Sequence, residues 1–237
     1  MPNNWFQFKQ FTVWQDKCAM KVGVDSVLLG AWAKVNKGEV VLDIGTGTGL
    51  LALMLAQKGC KKVDAVEIDE NAVFQAKENI TKSKWHNKIT VYHSAIQDYK
   101  PSWQYDVVIS NPPYFENSFK SGNAERDTAR HNDTLPLNEL FAAVEMQLKQ
   151  GGRFYLILPA DSLGNIKALV INLNLVISKL CFVKPTEMKP AKRLLFEIIK
   201  STELLPIQEQ DLVIEQGGRH NYSQEYISLT KDFYLKM

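Results

Sequence analysis

The sequence predicts an α/β fold: a seven-stranded, mostly parallel sheet with helices on both faces and an antiparallel final hairpin. Three observations carry that expectation. Short apolar runs alternate with stretches of helical periodicity, the pattern left by strands joined through crossover helices. A glycine-rich turn separates the first of these strands from the helix that follows it. Finally, the last two apolar runs are divided only by a proline-containing loop, too short for a crossover, so they must pair antiparallel.

The elements follow in order. Glu39–Asp43 (EVVLD) is a short buried strand, Gly45–Gly49 the turn, and Leu50–Gln57 (LLALMLAQ) a helix. Lys62–Glu67 is the second strand, and Glu70–Asn79 is a helix with Ala72, Val73 and Ala76 on one face. Ile89–Tyr92 and Tyr105–Ser110 are the third and fourth strands. Leu137–Leu148 reads as a helix stopped by Gly151-Gly152. Arg153–Leu158 is the fifth strand, Leu163–Leu173 a helix, and Leu175–Val183 and Leu194–Lys200 the closing hairpin. One domain accounts for the 237 residues, with an N-terminal covering segment (1–38), a core (39–200) and a C-terminal extension (201–237).

Composition bounds the function. Hydrophobic content of 45% and charged content of 23% are those of a globular protein with a full core. No apolar stretch approaches the ~20 residues of a membrane span, and the N-terminus lacks a signal-peptide layout, so a cytoplasmic protein is expected. Cys18, Cys60 and Cys181 are isolated and the four histidines scattered, which suits reduced thiols and no metal site. A net charge of +2 does not by itself argue for nucleic acid.

The glycine turn reads Asp43-Ile44-Gly45-Thr46-Gly47-Thr48-Gly49. Its G-x-G-x-G spacing differs from the G-x-G-x-x-G of dinucleotide turns, in which the third glycine lets helix and strand pack closely. It suits a nucleoside ligand without pyrophosphate. Asp43 is placed to attract an ammonium, and Glu67, ending the second strand 18 positions after Gly49, to accept two ribose hydroxyls. An exposed strand-end charge is the plainer reading of Glu67. At the end of the fourth strand stands Asn111-Pro112-Pro113-Tyr114. An Asn side-chain carbonyl and the Pro112 backbone carbonyl are two acceptors able to hold an NH2 group, and Tyr114 can stack on the attached plane. The plainer reading is a stiff turn that ends a strand. Together, the two motifs point to methyl transfer from S-adenosylmethionine to a planar nitrogen.

These motifs resemble the class I S-adenosylmethionine-dependent methyltransferases, Rossmann-like enzymes that modify exocyclic amines or amides. Within that class the chain is similar to the tRNA1(Val) (adenine-N6)-methyltransferases. The similarity lies in Phe8-Lys9-Gln10-Phe11, Asp16 through Asp25, Leu28-Leu29-Gly30-Ala31-Trp32, Ala129-Arg130-His131 and Tyr226–Met237. The resemblance implies methylation of N6 of adenine 37, beside the anticodon, in tRNA1(Val). It implies catalytic Asn111, Pro112 and Tyr114, and cofactor contacts from Lys21, Gly23, Asp43, Gly45, Thr46, Gly47, Gly49, Glu67, Ile68, Ala95, Ile96 and Asn111. Ala95 stands where many relatives carry an acid for the cofactor's adenine amine, so Asp98 or a backbone carbonyl takes that part.

Substrate contacts are expected from Tyr114, Phe115, Arg130 and His131, and from Lys189, Lys192 and Arg193 in a basic loop. That loop binds phosphate or is simply solvated. Phe115–Leu135 is polar and aperiodic, either a lid that orders on RNA or an unstructured surface loop. A helix capped by Asp25 covers the sheet, and the Lys21-Val22-Gly23 turn before it closes over the cofactor's methionine end. No membrane, metal or obligate protein partner is expected. Two rival functions share the core: N5 methylation of a release-factor glutamine, whose enzymes carry a helical domain where only about 38 residues precede the first strand here, and a noncatalytic RNA-binding module. DNA adenine methylation would need a recognition domain for which there is little room.

Overall fold

Strand β3 (Val40–Ile44) turns Val41 to one face of a sheet and Leu42 and Ile44 to the other. β6 (Tyr105–Ser110) does the same with Val107 and Ile109 against Val108. The period of two makes each central strand serve two cores at once, which is why these runs are apolar without a break. The computed structural model describes residues 3–18, 20–113 and 135–237.

The remaining strands are β4 (Lys62–Glu67), β5 (Ile89–His93), β7 (Leu148–Pro159), β8 (Leu175–Thr186), β9 (Arg193–Lys200) and β10 (Gln208–Glu215). They form an eight-stranded sheet ordered β10-β8-β9-β7-β6-β3-β4-β5. Only β9 runs against its neighbours, pairing antiparallel with β7 and with β8. The seven expected strands are therefore joined by an eighth, β10, which adds to β8 in parallel. A further hairpin, β1 (Trp5–Gln7) with β2 (Thr12–Trp14), was also not expected. One face carries α1 (Val24–Trp32), α2 (Leu50–Gln57) and α6 (Gln224–Thr230). It also takes Ala76 and Ile80 of α3 (Glu70–Thr81). α4 (Leu137–Gln147) and α5 (Leu163–Ile171) cover the other. Seven of the eight α2 residues are buried, because α1 covers the side of α2 that the sheet does not.

Three local expectations are corrected. Gly151-Gly152 does not stop a helix: α4 ends at Gln147, and the glycines lie inside β7 at an irregularity between Tyr105 and Val107 of β6. Gly151 there has φ 75°, a left-handed conformation that favours glycine. Asp25 does not cap α1: Gly23 holds the cap position without a side-chain bond, and Asp25 lies in the first turn. The final hairpin is also longer than expected, leaving only a tight turn between Thr186 and Arg193.

Candidate active site

The parallel strands β3, β4, β5, β6 and β7 all end at one edge of the sheet, where α/β folds place their ligands. This edge gathers Asp43 through Gly49, Glu67 with Ile68, Ala95 with Ile96, and Asn111 with Pro112.

The glycine turn is wound tightly over the end of β4. Gly45 and Thr46 both donate their N–H groups to the Val66 carbonyl, and Gly49 donates to Thr46. Gly45, Gly47 and Gly49 have φ of 69°, 54° and 82°, which L side chains rarely adopt. A Cβ at Gly45 or Gly47 would meet none of the described residues within 4 Å, which leaves room for a ligand to approach the turn. Beneath the turn, Asp43 is wholly buried. Its Oδ2 accepts from the Thr46 hydroxyl at 2.6 Å and the Ala52 N–H at 3.1 Å, while its Oδ1 is buried without a partner. Burial pushes the carboxyl up to about 7, against the lowering effect of those two bonds.

Glu67 is tied into the same framework. Its Oε2 accepts the Gly47 N–H at 2.8 Å, and its Oε1 accepts from Ile68 and Asp69 at 2.9 and 3.0 Å. The carboxylate is thus fixed in orientation, and each oxygen keeps lone-pair capacity for a hydroxyl. Ile68 follows it and is 64% exposed, Ala95 is half-buried, and Ile96 is buried in one cluster with Val66 and Tyr99. The Ala95 carbonyl already accepts from Asp98, Tyr99 and the Ser94 hydroxyl, and the Asp98 side chain is exposed.

At the end of β6, the Ser110 hydroxyl donates to the Ile44 carbonyl at 2.9 Å, locking the two central strands together. Asn111 follows, with Pro112 buried and Pro113 exposed. Asn111 Nδ2 donates to Ser26 Oγ at 2.7 Å, and its Oδ1 is buried with no partner among the described residues. Tyr114, Phe115, Arg130 and His131 lie outside the described residues.

The N-terminal segment is drawn to this edge by polar side chains that sequence reasoning passed over. Asn79 of α3 bonds both the N–H and the carbonyl of Trp14 and the carbonyl of Thr48, and Gln75 takes the Lys17 N–H. Gln15 accepts from the Val22 N–H, next to exposed Lys21 and Gly23. Burial first, then the carboxylates of Glu67, Asp69 and Asp16, push the Cys18 thiol up to about 11, which keeps it neutral. The signal for these anchors was faint: polar residues on the inner face of a helix. Lys189 and Lys192 are exposed in the β8–β9 turn. Arg193 begins β9 and binds Asp25 at 2.9 Å, so it stands in an ion pair and not in the open basic loop.

Residues 18–169 match the family model described as the methyltransferase small domain. The chain is 45% identical over 239 residues to the tRNA1(Val) (adenine(37)-N6)-methyltransferase of Parabacteroides distasonis, covering 100% of both chains. A protein of the same name from Bacteroides fragilis is 45% identical over 240 residues, again with 100% of each covered. The chain belongs to this family. In fold it is like the tRNA m1G37 methyltransferase of M. jannaschii, at 18% identity with a TM-score of 0.62, over 86% of this chain and 59% of that one. As a class I methyltransferase of this family it uses S-adenosylmethionine. The edge suits that group: room at two left-handed glycines, an oriented carboxylate, and the orphaned Asp43 Oδ1 as a partner for an ammonium.

Proposed function

We propose that this enzyme methylates N6 of an adenine in tRNA, and that its substrate is adenine 37 of tRNA1(Val), as the names of its relatives state. The observation that carries the reading is the Asn111 side chain at the carboxyl end of β6, its NH2 bonded to Ser26 and its Oδ1 buried without a partner among the described residues.

N6 of adenine is a poor nucleophile because its lone pair is delocalised into the ring. Asn111 Oδ1 and the Pro112 carbonyl accept its two N–H groups and hold it so that the lone pair turns out of the ring plane. Bound S-adenosylmethionine supplies an electrophilic methyl group on a sulfonium centre. Asp43, Gly45, Thr46, Gly47, Gly49 and Glu67 would hold it, with Ile68, Ala95 and Ile96 contributing to its adenine and Lys21 and Gly23 to its methionine portion. The protein's work is positioning and electrostatics, and it needs no dedicated base, because the methylated amine is cationic and sheds a proton to water. Tyr114 and Phe115 stack on the target base, Arg130 and His131 contact the neighbouring RNA, and Lys189 and Lys192 meet phosphates. An anticodon-loop base is single-stranded, so extruding it costs at most a few kcal/mol. A cytoplasmic enzyme of one domain meets such a substrate directly.

The test is Asn111→Ala. It should abolish transfer to a valine tRNA transcript, measured by nucleoside mass spectrometry, while calorimetric affinity for S-adenosylmethionine stays within roughly tenfold. Turnover near wild type would remove Asn111 from the mechanism.

A further inference from the structure

An asparagine amide has two ends of nearly equal shape and opposite polarity, and a half-turn about χ2 exchanges them. With Oδ1 toward the acceptor amine, Asn111 binds it; with Nδ2 there, N–H groups face N–H groups. The tetrapeptide itself does not choose between the two. We propose that Ser26 is a positioning residue for methyl transfer: its Oγ accepts the Asn111 Nδ2–H and holds the amide with Oδ1 toward the substrate.

The proposal rests on the role of Asn111 given above. Ser26 Oγ lies 2.7 Å from Nδ2, and among the described residues Oδ1 is left buried and without a partner. An unpartnered buried acceptor is costly unless a ligand satisfies it. The reverse arrangement would set Nδ2 against the N–H groups of the amine, so the amine excludes it, and Ser26 gives Nδ2 its partner in the arrangement that remains.

Ser26 can act this way because it is itself held. It sits in the first turn of α1, whose next residues Val27, Leu28 and Leu29 are fully buried against α2 and the sheet. Its neighbour Asp25 accepts from Arg193 Nε at 2.9 Å, and Arg193 is in register with Pro159 at the end of β7, the strand beside β6. The turn that carries the hydroxyl is therefore fixed to the same sheet edge that carries Asn111. Ser26 is 85 positions from Asn111 in sequence, so no local motif could announce it.

Ser26→Ala should lower kcat at saturating cofactor and tRNA by about tenfold, the scale of one lost hydrogen bond. The dissociation constant for S-adenosylmethionine should stay within about twofold and the melting midpoint within about 2 °C. Ser26→Thr, which keeps the oxygen, should restore most of kcat. A readout independent of activity is the 15N-resolved side-chain amide of Asn111. One Nδ2 proton should be protected from exchange in the wild type and in Ser26→Thr, and unprotected in Ser26→Ala. Unchanged kcat in Ser26→Ala, beside a dead Asn111→Ala, overturns the role of Ser26 alone. Full turnover in Asn111→Ala overturns the proposed role of Asn111 and this inference with it. A loss in Ser26→Ala that Ser26→Thr does not rescue, with cofactor affinity and melting midpoint falling together, shows Ser26 to be structural and overturns the positioning role.

Discussion

Asp43 is asked to be a counter-charge from a place where charge is costly. Burial pushes its carboxyl up to about 7, while a solvated aspartate titrates at 3.8. Between those values the folded protein holds a proton that the unfolded chain has released. This contribution to stability is therefore fully present below about pH 4 and is lost as pH rises through 7. Asp43→Asn is neutral throughout and escapes that loss. Without cofactor, the melting midpoint of the variant relative to wild type should climb from pH 5 to pH 8, other titrating groups cancelling in the difference. Added S-adenosylmethionine should narrow the gap at pH 8, because its ammonium favours the ionised form. Parallel curves across the range would show that Asp43 is ionised well below neutrality and has no such burden.

Gly152 shows how one element can be misread at a single dipeptide. In sequence, Gly-Gly after a helical run is a stop signal; in the structure it lets β7 pass the start of β6. A Cβ at Gly152 would stand 2.8 Å from the Lys149 carbonyl oxygen and 3.2 Å from that of Tyr105, and neither backbone atom can swing away. Gly152→Ala should cost about 1–3 kcal/mol in denaturant unfolding. Gly164→Ala in α5, where a Cβ meets nothing, should be neutral or stabilising by up to ~1 kcal/mol. Equal stability of the two variants would mean that the irregularity in β7 relaxes freely. The order of the central elements was legible because their strands are buried on both faces and stay apolar throughout. β10 was not legible, since only Leu212 of its eight residues is buried. Nor was the β1–β2 hairpin, whose three-residue strand β2 is held at Trp14 by Asn79, 65 positions away. The same division runs through the site. Residues whose chemistry is local, from Asp43 to Gly49 and from Asn111 to Pro112, announced themselves, whereas Ser26 and the Asp25–Arg193 pair exist only once the chain has folded.

At the scale of the whole molecule, strand direction decides where a tRNA can be gripped. β8 runs parallel to β7, because each is antiparallel to β9, so the β8–β9 turn carrying Lys189 and Lys192 emerges at the same edge as Asn111. β9 is two strands from β6 in the sheet order, about 10 Å at ordinary strand spacing. Exposed cations at that distance suit the backbone phosphates around a base held by Asn111, while Arg193 is engaged with Asp25 and belongs to the scaffold. Phosphate contacts position and base contacts specify. The double charge reversal Lys189→Glu/Lys192→Glu, with Arg193 untouched, should therefore weaken a valine tRNA and an unrelated tRNA alike. In fluorescence titrations over a range of salt, the log–log slope should flatten by about 0.7–0.9 for each phosphate left without its lysine. Affinity for S-adenosylmethionine and kcat at saturating tRNA should not change. Unaltered affinity and slope would show that tRNA reaches the pocket across another face of the sheet edge. The N-terminal segment that Asn79, Gln75 and Gln15 anchor would then be the surface to reverse next.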